Sequence, residues 1–417
     1  PRRAGPQGRE MGNACCTSDG ALVAFAKSHV DEHFGIGTAE ALQRIADLLA
    51  RAEARLGSSM SNPLLLNLGV LLKQVEQDRR LERPPTSGTA FEDAKVLRKA
   101  ARFVRFASAA ASCGDRKSIA SHVPGLTPDA VKFVQQGDLV VTCPGFFIAV
   151  DHETDDIVLC IRGPQSAAEA LREAVGPKVH LLGGRAHGSL LDSAQNVADG
   201  AVQKLLRLSQ ESPRKGIAIV GHSTSGGVAA LVTILLSADG CPFSKLMAAG
   251  KVKCYCFAPP PVFEPLWALP AWVHGSTYSF VYNMDCVPRA CLGTAAKLYM
   301  ALKQADRLGI SSERRLAYIR GECKLDTTLP DCVEVPQGEA TGAGLASLFV
   351  VGTILAIYRA PAEDGQEQVQ CETAAPHMLD RLLLHPDMAQ DHAISNLERA
   401  FEDLRDQARL GGGCVVS

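Results

Sequence analysis

A strand–turn–helix sequence around a single serine constrains the fold of this chain more than any other feature. Gly216–Val220 has the apolar composition of a buried strand, and Gly221-His222-Ser223 follows it directly. Gly226–Leu231 then supplies small and apolar residues, which let a helix begin close to the strand end. This layout is typical of a nucleophile elbow, whose sharp turn holds a serine hydroxyl at the C-terminal end of a strand. We therefore predict that Ser223 is a nucleophile.

Composition limits the classes of function that the chain can have. The chain has 417 residues, 46% of them hydrophobic, and a formal net charge of −2. This size allows one large domain with appendages or two domains, and the near-neutral charge gives no general basic field for nucleic acid. The 14 cysteines are scattered without metal-ligand spacing, so we expect reduced thiols and no metal site.

The regions flanking the elbow predict an α/β domain. Alternation of strand-like and helix-like segments favours a largely parallel sheet covered by helices. The predicted strands, besides that of the elbow, are Asp138–Thr142, Phe146–Val150, Asp156–Arg162, Val252–Ala258 and Ser279–Tyr282. The predicted helix before the elbow spans Ser189–Leu208, and another spans Phe91–Ala111.

Four segments follow from these patterns. Residues 1–20 are expected to be a disordered leader with a candidate acylation site, with the biological start at Met11. Residues 21–90 have helical apolar spacing and form a predicted helical N-terminal segment. Residues 91–405 form the predicted catalytic domain, and residues 406–417 a flexible tail.

An uncharged stretch at Ala340–Tyr358 approaches the length of a membrane span. It contains three glycines and two threonines, so a buried strand pair is favoured over a spanning helix.

A nucleophilic serine needs a base, and the base needs an orienting acid. In α/β-hydrolase chains the order is serine, acid, histidine, which Ser223, Asp285 and His392 satisfy. Other interpretations of these residues stay open at this point: Asp285 could cap a turn, and His392 could simply begin a helix. His377 and His385 are alternative bases, whereas His222 is expected to be a packing residue.

Six motifs occur in one order and together resemble the class 3 (fungal-type) lipase family, in particular its diacylglycerol-lipase-like branch. The resemblance covers roughly residues 94–404. The motifs are Ile161–Ser166, Ala186–Gly188, Gly221–Ser223, Cys256–Pro261, Tyr282–Arg289 and Asp391-His392. The resemblance implies an α/β-hydrolase fold, cleavage of a glycerolipid acyl ester, and a triad of Ser223, Asp285 and His392 without a cofactor.

The same resemblance implies an oxyanion hole with two backbone donors. One is the amide of Thr224, and the other would come from position 164, where this chain has proline, which lacks an N–H group. Gln165 is the expected substitute donor. Ser225 replaces the last glycine of the Gly-x-Ser-x-Gly pattern and is expected to crowd the elbow. These departures favour, as the alternative function, a weak or inactive lipase-fold protein that binds lipid as a scaffold. Within the enzyme class, the alternatives are a phospholipase A1-like and a general esterase activity.

Both ends of the chain carry motifs typical of lipid attachment. After Met11, Gly12 resembles a myristoylation site, with Cys15 and Cys16 as palmitoylation candidates. Cys414-Val415-Val416-Ser417 fits a prenylation box. Two such anchors predict a peripheral protein on the cytoplasmic leaflet, close to a bilayer substrate. The alternatives are chance matches and a cytosolic protein.

Two segments are candidates for a lid over the active site. Glu173–Arg185 lies where the family often has a lid, and the insertion-like residues 289–338 are the other candidate lid or a regulatory loop. Nothing in the sequence identifies a protein partner.

Overall fold

The computed structural model describes residues 31, 37–57, 59–78, 83–111, 114–137, 144–163, 170–171, 173, 176–238, 240–325, 347–361 and 367–410. The predicted strand at Asp138–Thr142, the candidate donor Gln165 and the lipidation candidates Gly12, Cys15, Cys16 and Cys414 all lie outside these residues.

Helices and strands alternate through most of the described residues. The helices are α1 (Thr38–Leu56), α2 (Leu64–Asp78), α3 (Ala94–Ala111), α4 (Arg116–His122), α5 (Gly188–Glu211), α6 (Thr224–Leu236), α7 (Ser244–Ala248), α8 (Ala271–Ser276), α9 (Leu292–Asp306), α10 (Ser312–Ile319) and α11 (Ile394–Leu410). The strands are β1 (Val131–Gln135), β2 (Phe146–Asp151), β3 (Asp156–Ile161), β4 (Lys178–Leu181), β5 (Gly184–His187), β6 (Gly216–His222), β7 (Val252–Phe257), β8 (Phe263–Glu264), β9 (Thr277–Tyr282), β10 (Thr353–Pro361) and β11 (Glu367–Ala374).

The central sheet has eight strands in the order β1-β2-β3-β6-β7-β9-β10-β11. Strands β3, β6, β7, β9 and β10 run parallel, whereas β1, β2 and β11 join antiparallel at the two edges. Parallel strands need crossover connections, and the helices supply them on the sheet faces. The predicted α/β-hydrolase fold, with its largely parallel central sheet, is confirmed.

The two faces of the sheet have separate apolar clusters. Along β6, Ala218 and Val220 pack with α3 and α11, whereas Ile217 and Ile219 pack with α5 and α6. This alternation follows from the two-residue period of a strand. Because β6 is buried on both faces, its C-terminal end is a rigid support for the residues that follow it.

A third apolar cluster joins the N-terminal helices to the segment before β10. We call α1, α2, α9 and α10 the helical layer, since their buried faces share this cluster. Glu53 on α1 accepts a hydrogen bond of 3.1 Å from the Tyr299 hydroxyl on α9. The cluster also includes Cys286, Val287 and Met388, which lie in loops at the end of the sheet. The helical layer therefore packs against the loops that carry the predicted acid and base.

Polar contacts inside the helical layer centre on Asp306. Its carboxylate accepts hydrogen bonds from the backbone of Ser61 and Asn62 and from the side chains of Asn62 and Asn67. Arg315 is fully buried and donates to Asn67 and to the carbonyls of Ala305 and Ile310. These bonds join α2 to α9 and α10. The predicted boundary of a helical segment at residue 90 stays a prediction.

The uncharged stretch at Ala340–Tyr358 differs from the expected strand pair. In its described residues β10 begins at Thr353, and its antiparallel partner β11 (Glu367–Ala374) lies beyond the stretch. The partner carries polar residues on its exposed side and therefore lacked an apolar signal. Among the helices that the structure describes, none is both long and apolar enough to cross a bilayer.

The two candidate cover segments adopt different structures. Within 173–185, β4 and β5 form a hairpin that joins β8 in a small second sheet. Residues 289–338 contain α9 and α10 as far as they are described. At the other end of the chain, α11 continues to Leu410, inside the predicted flexible tail.

Candidate active site

Ser223 lies in a sharp turn between β6 and α6. Its backbone has φ 62° and ψ −135°, a conformation that a non-glycine residue adopts at a cost. The Ser223 amide donates a 2.8 Å hydrogen bond to the Phe257 carbonyl on β7, which anchors the turn to the sheet. A methyl group on Gly221 would overlap the Ser225 carbonyl, so glycine there lets the helix begin against the strand. The predicted elbow geometry is present.

Three side chains that are far apart in the sequence meet at this turn. His392 Nε2 lies 2.8 Å from Ser223 Oγ, and its Nδ1 lies 3.0 Å and 2.9 Å from the two carboxylate oxygens of Asp285. The partners assign the hydrogens: Nδ1–H donates to Asp285, and Nε2 accepts from the Ser223 hydroxyl. All three residues are at most 2% exposed. The three side chains are arranged as a nucleophile (Ser223), a general base (His392) and an acid that orients the base (Asp285).

Asp285 follows β9 at the C-terminal edge of the sheet. Its Oδ1 accepts a 2.9 Å hydrogen bond from the Val287 amide, which fixes the carboxylate relative to its own loop. Nearby, Arg289 is buried and donates to the Met378 carbonyl at 2.7 Å. Burial lowers the pKa of Arg289 to about 10, while the charge of Asp285 opposes that change. Arg289 is thus a cation at neutral pH, and it offsets part of the negative charge of Asp285.

His392 is supported from a second side by His222. The two rings stack with centroids 5.0 Å apart at 30°, and His222 Nε2 donates to the His392 carbonyl at 3.0 Å. Burial, followed by the charge of His392, lowers the pKa of His222 to about 3, so His222 stays neutral at physiological pH. The alternative base His385 instead accepts a hydrogen bond from the Asp387 amide at 3.2 Å, and His377 lies in a short 3₁₀ turn at Pro376–Leu379.

The side chain of Ser225 is accommodated in the elbow. Its Oγ accepts from the His222 amide at 3.1 Å and donates to the His222 carbonyl at 2.7 Å. A methyl group on Gly163 would come 2.7 Å from this oxygen, so the space for Ser225 comes from the missing side chain at Gly163. The crowding expected from Ser225 is therefore relieved by a neighbouring glycine.

One of the two predicted oxyanion donors can be located. Thr224 is the first residue of α6, where amides lack a partner within the helix. Its N–H is available to an oxyanion formed next to Ser223, and the positive end of the α6 dipole adds to the stabilisation. The candidate Gln165 and its neighbour Pro164 lie outside the described residues.

The site is closed in this structure, since Ser223 is 0% and His392 2% exposed. A cavity of about 130 Å³ lies between the end of α1, the start of α9 and the β4–β5 hairpin, and Ser223, Asp285 and His392 are not among its lining residues. In the described part of the chain, no cluster of three or more His, Cys, Asp or Glu side chains could hold a metal ion.

Two residues of this site were not assigned a role from the sequence. His222 was interpreted as a packing residue, and its contact with His392 depends on tertiary structure. Asp391 was noted only as the neighbour of His392, yet its carboxylate is buried and accepts a hydrogen bond from the Met284 amide. A carboxylate directly beside a candidate base was the available signal.

Comparison with known proteins supports the predicted resemblance. The profile of the family Lipase (class 3) matches residues 158–294. The chain is 29% identical over 157 residues to secreted mono- and diacylglycerol lipase A of Penicillium cyclopium, covering 36% of this chain and 48% of that protein. It is 27% identical over 214 residues to human (Homo sapiens) diacylglycerol lipase-alpha, covering 48% of this chain and 19% of that protein.

The chain thus spans about half or less of the length of these curated relatives. A solved structure of a lipase from Rhizopus microsporus var. chinensis aligns with 75% of this chain and 91% of its own, at 16% identity and a TM-score of 0.48. The matched residues 158–294 contain both the elbow and Asp285. Over residues 158–294 this chain is similar to the class 3 lipase family, and its relatives in the comparison are acylglycerol lipases.

Proposed function

We propose that the chain is a serine hydrolase that cleaves an acyl ester of a glycerolipid, with diacylglycerol or a related acylglycerol as substrate. The observation that carries the proposal is the 2.8 Å contact between His392 Nε2 and Ser223 Oγ, with Asp285 on the opposite ring nitrogen. The match of residues 158–294 to the class 3 lipase profile and the similarity to mono- and diacylglycerol lipases support the substrate class.

Acylation begins when His392 Nε2 removes the proton from Ser223 Oγ as the oxygen attacks the ester carbonyl. Asp285 holds the imidazole with Nδ1–H pointing toward its carboxylate, and it stabilises the imidazolium that forms. The Thr224 amide donates to the oxyanion of the tetrahedral intermediate. His392 then gives its proton to the leaving alcohol oxygen, which leaves an acyl group on Ser223.

Deacylation repeats these steps with water as the nucleophile. His392 removes a proton from water, the hydroxide attacks the acyl-enzyme, and the fatty acid leaves as Ser223 regains its proton. Because both Ser223 and His392 are buried, a lipid reaches them only after a covering segment moves.

A lipid panel tests the proposal most broadly. The full chain is incubated with mixed micelles of monoacylglycerol, diacylglycerol, triacylglycerol or phosphatidylcholine, and released fatty acid is measured. Diacylglycerol or monoacylglycerol should be hydrolysed fastest, and Ser223→Ala should lower the rate roughly 10⁴-fold or more. Ser225→Ala is the matched control, since this serine faces the His222 backbone. Preferential release from phosphatidylcholine would indicate a phospholipase A1-like activity instead.

A lipid-binding scaffold with little activity is the second candidate, favoured by Pro164 at the position of the second oxyanion donor. Loss of one such donor costs about 10²–10³-fold in rate. The same panel separates the two functions: a folded chain that binds the micelles without releasing fatty acid would support the scaffold and contradict the hydrolase.

We also propose that lipid anchors hold the chain on the cytoplasmic leaflet, based on Gly12, Cys15, Cys16 and Cys414. Two anchors hold a protein at a bilayer more firmly than one. The double variant Gly12→Ala, Cys414→Ser should move the protein from the membrane fraction to the soluble fraction, with each single variant showing a smaller change. A double variant that still pellets with membranes would contradict the anchors.

A further inference from the structure

A buried carboxylate beside the base joins the two loops of the candidate triad. Asp391 is 6% exposed, and its Oδ2 accepts a 3.1 Å hydrogen bond from the Met284 amide. Met284 directly precedes Asp285, and Asp391 directly precedes His392. One hydrogen bond therefore connects the neighbour of the acid to the neighbour of the base, across 107 residues of sequence.

A backbone hydrogen bond on the other side of Asp285 also joins the Asp285 loop to the His392 loop. The Cys286 amide donates to the Met388 carbonyl at 3.2 Å, so the amides on both sides of Asp285 donate into the loop that carries His392. Of these two bonds, only the one at Met284 depends on a side chain. The Asp391 amide in turn donates to the Asp387 carbonyl at 2.8 Å, which fixes Asp391 within its own loop.

The environment of Asp391 is unfavourable for a carboxylate. Burial raises the pKa of Asp391 to about 7, and the charges of Asp285 and Asp387 act in the same direction. Hydrogen bonds from the Met284 amide and the Asn283 side chain oppose that change. An apolar side chain would remove the buried carboxylate but leave the Met284 amide without its acceptor, at a cost.

We propose that Asp391 is a positioning residue, which holds the Asp285 and His392 loops in register so that the imidazole meets both Ser223 and Asp285. The inference rests on the proposed function, because it concerns the geometry of the same triad. Asp391 acts through the Met284 amide, and it has no contact with the reacting atoms in this role. A misplacement of about 1 Å in such a site lowers the rate by about 10²-fold.

The test compares Asp391→Ala with Asp391→Asn in the full chain, with hydrolysis of p-nitrophenyl butyrate as the assay. Alanine removes the acceptor, and we expect kcat to fall about 10- to 100-fold with little change in KM. Asparagine keeps an oxygen for the Met284 amide, so it should restore most of the lost kcat. Wild-type kcat in Asp391→Ala, or an Asn variant as impaired as the Ala variant, would overturn the proposal.

A pH profile gives a readout that a purely structural role would not change. The charges that act on Asp391 are those of Asp285 and Asp387, and His222, which stacks on His392, stays neutral. Because its raised pKa of about 7 leaves Asp391 largely uncharged on the acid limb of kcat, Asp391→Asn should keep that limb at the wild-type pH. In Asp391→Ala the imidazole is displaced from Asp285, so the limb should move to lower pH. An unmoved limb in Asp391→Ala, or a moved limb in Asp391→Asn, would contradict the proposal, and the Asn measurement remains decisive if Asp391→Ala does not fold.

The failure of this inference can be told apart from failure of the proposed function. If the wild-type chain shows no Ser223-dependent hydrolysis, both the proposed function and the positioning role of Asp391 are wrong. If wild-type hydrolysis depends on Ser223 but the Asp391 variants match the wild type in kcat and pH profile, only the positioning role is wrong.

Discussion

The catalytic end of the sheet and the helical layer bury their polar groups in different ways. At the sheet end, Ser223, His392 and Asp285 bond mainly to one another, at 2.8–3.0 Å, and each depends on the others for its partner. In the helical layer, Asp306 and Arg315 bond mostly to backbone groups and amide side chains of neighbouring helices. The first arrangement orients reacting atoms, whereas the second holds helices together.

Substitutions in the two regions should therefore have different effects. On the proposed mechanism, side chains at the sheet end should determine the rate of the chemical step, and their removal should leave the apolar clusters intact. Side chains in the helical layer determine how firmly it packs. The two regions meet at Cys286, Val287 and Met388, which share the apolar cluster of the helical layer yet flank Asp285 and His392 in sequence. Substitutions confined to one region therefore test whether rate and stability are separable.

The largest effect is expected from Asp285→Asn. The amide lacks the charge that stabilises imidazolium, and its NH₂ group favours the wrong tautomer of His392, so kcat should fall about 10⁴-fold. The melting temperature should change little, because the amide oxygen can keep the bond from the Val287 amide while the NH₂ group donates to His392. Ester hydrolysis and thermal unfolding measured on the same preparation check both expectations. A variant that keeps more than a tenth of the wild-type rate would remove Asp285 from the triad.

Gly221→Ala should affect rate and stability together. The added methyl group would overlap the Ser225 carbonyl, so the elbow must shift, at a cost of about 1–3 kcal/mol. Gly275→Ala is the matched control, because no atom lies within 4 Å of a methyl group there. Chemical denaturation should show a lower free energy of unfolding for Gly221→Ala and an unchanged one for Gly275→Ala. Equal stability of the two variants would show that the elbow is less tightly packed than described.

Much of the catalytic end could be predicted from the sequence, because its signals are local. A buried strand followed by Gly221-His222-Ser223 and small residues predicts the elbow, and β2, β3, β7 and β9 form where apolar runs predicted strands. The bond between Asp391 and Met284, and the stacking of His222 on His392, could not be predicted, since both depend on loops brought together by the fold.

The helical layer was less predictable. Apolar spacing in residues 21–90 predicts helices, but not that they pack against α9 and α10, which lie in the insertion-like residues 289–338. Similarly, β11 was missed because only Val369 and Cys371 of that strand are buried, and its other side chains resemble those of a loop. Long-range packing decides both cases.

Asp306→Asn should destabilise the helical layer without slowing the chemical step. One amide oxygen cannot replace two carboxylate oxygens facing Ser61, Asn62 and Asn67, and we expect a loss of about 1–2 kcal/mol. The measurement is chemical denaturation beside ester hydrolysis. A hundredfold loss of kcat would contradict the separation of the two regions.

The pH dependence of stability gives a second test of the role of Asp306 in the helical layer. Burial raises the pKa of Asp306, but hydrogen bonds from Ser61, Asn62 and Asn67 outweigh it, so the pKa is lowered overall. A lowered folded-state pKa means that the carboxylate stabilises the fold above its unfolded pKa of about 4, and that this contribution is lost as the pH falls through the folded value. Between about pH 5 and pH 2 the wild type should lose more stability than Asp306→Asn.

The smallest effect is expected from Ser225→Ala. The change removes an acceptor from the His222 amide, at a cost of about 1 kcal/mol, but leaves Ser223 and His392 in place. Ester hydrolysis should stay within a few-fold of the wild type. A loss of hydrolysis comparable to that of Ser223→Ala would place the second serine in the chemistry and contradict the account of the elbow.

The proposed mechanism depends on activation of Ser223 by His392, and fluorophosphonate labelling reports that activation at the serine oxygen itself. The full chain, Ser223→Ala and His392→Ala are each incubated with the probe in micellar detergent, which favours an open site, and the adduct is located by mass spectrometry. We expect an adduct on Ser223 in the wild type, none in Ser223→Ala, and far slower labelling in His392→Ala. A folded wild-type chain without an adduct, or labelling that persists without Ser223, would contradict the proposed mechanism.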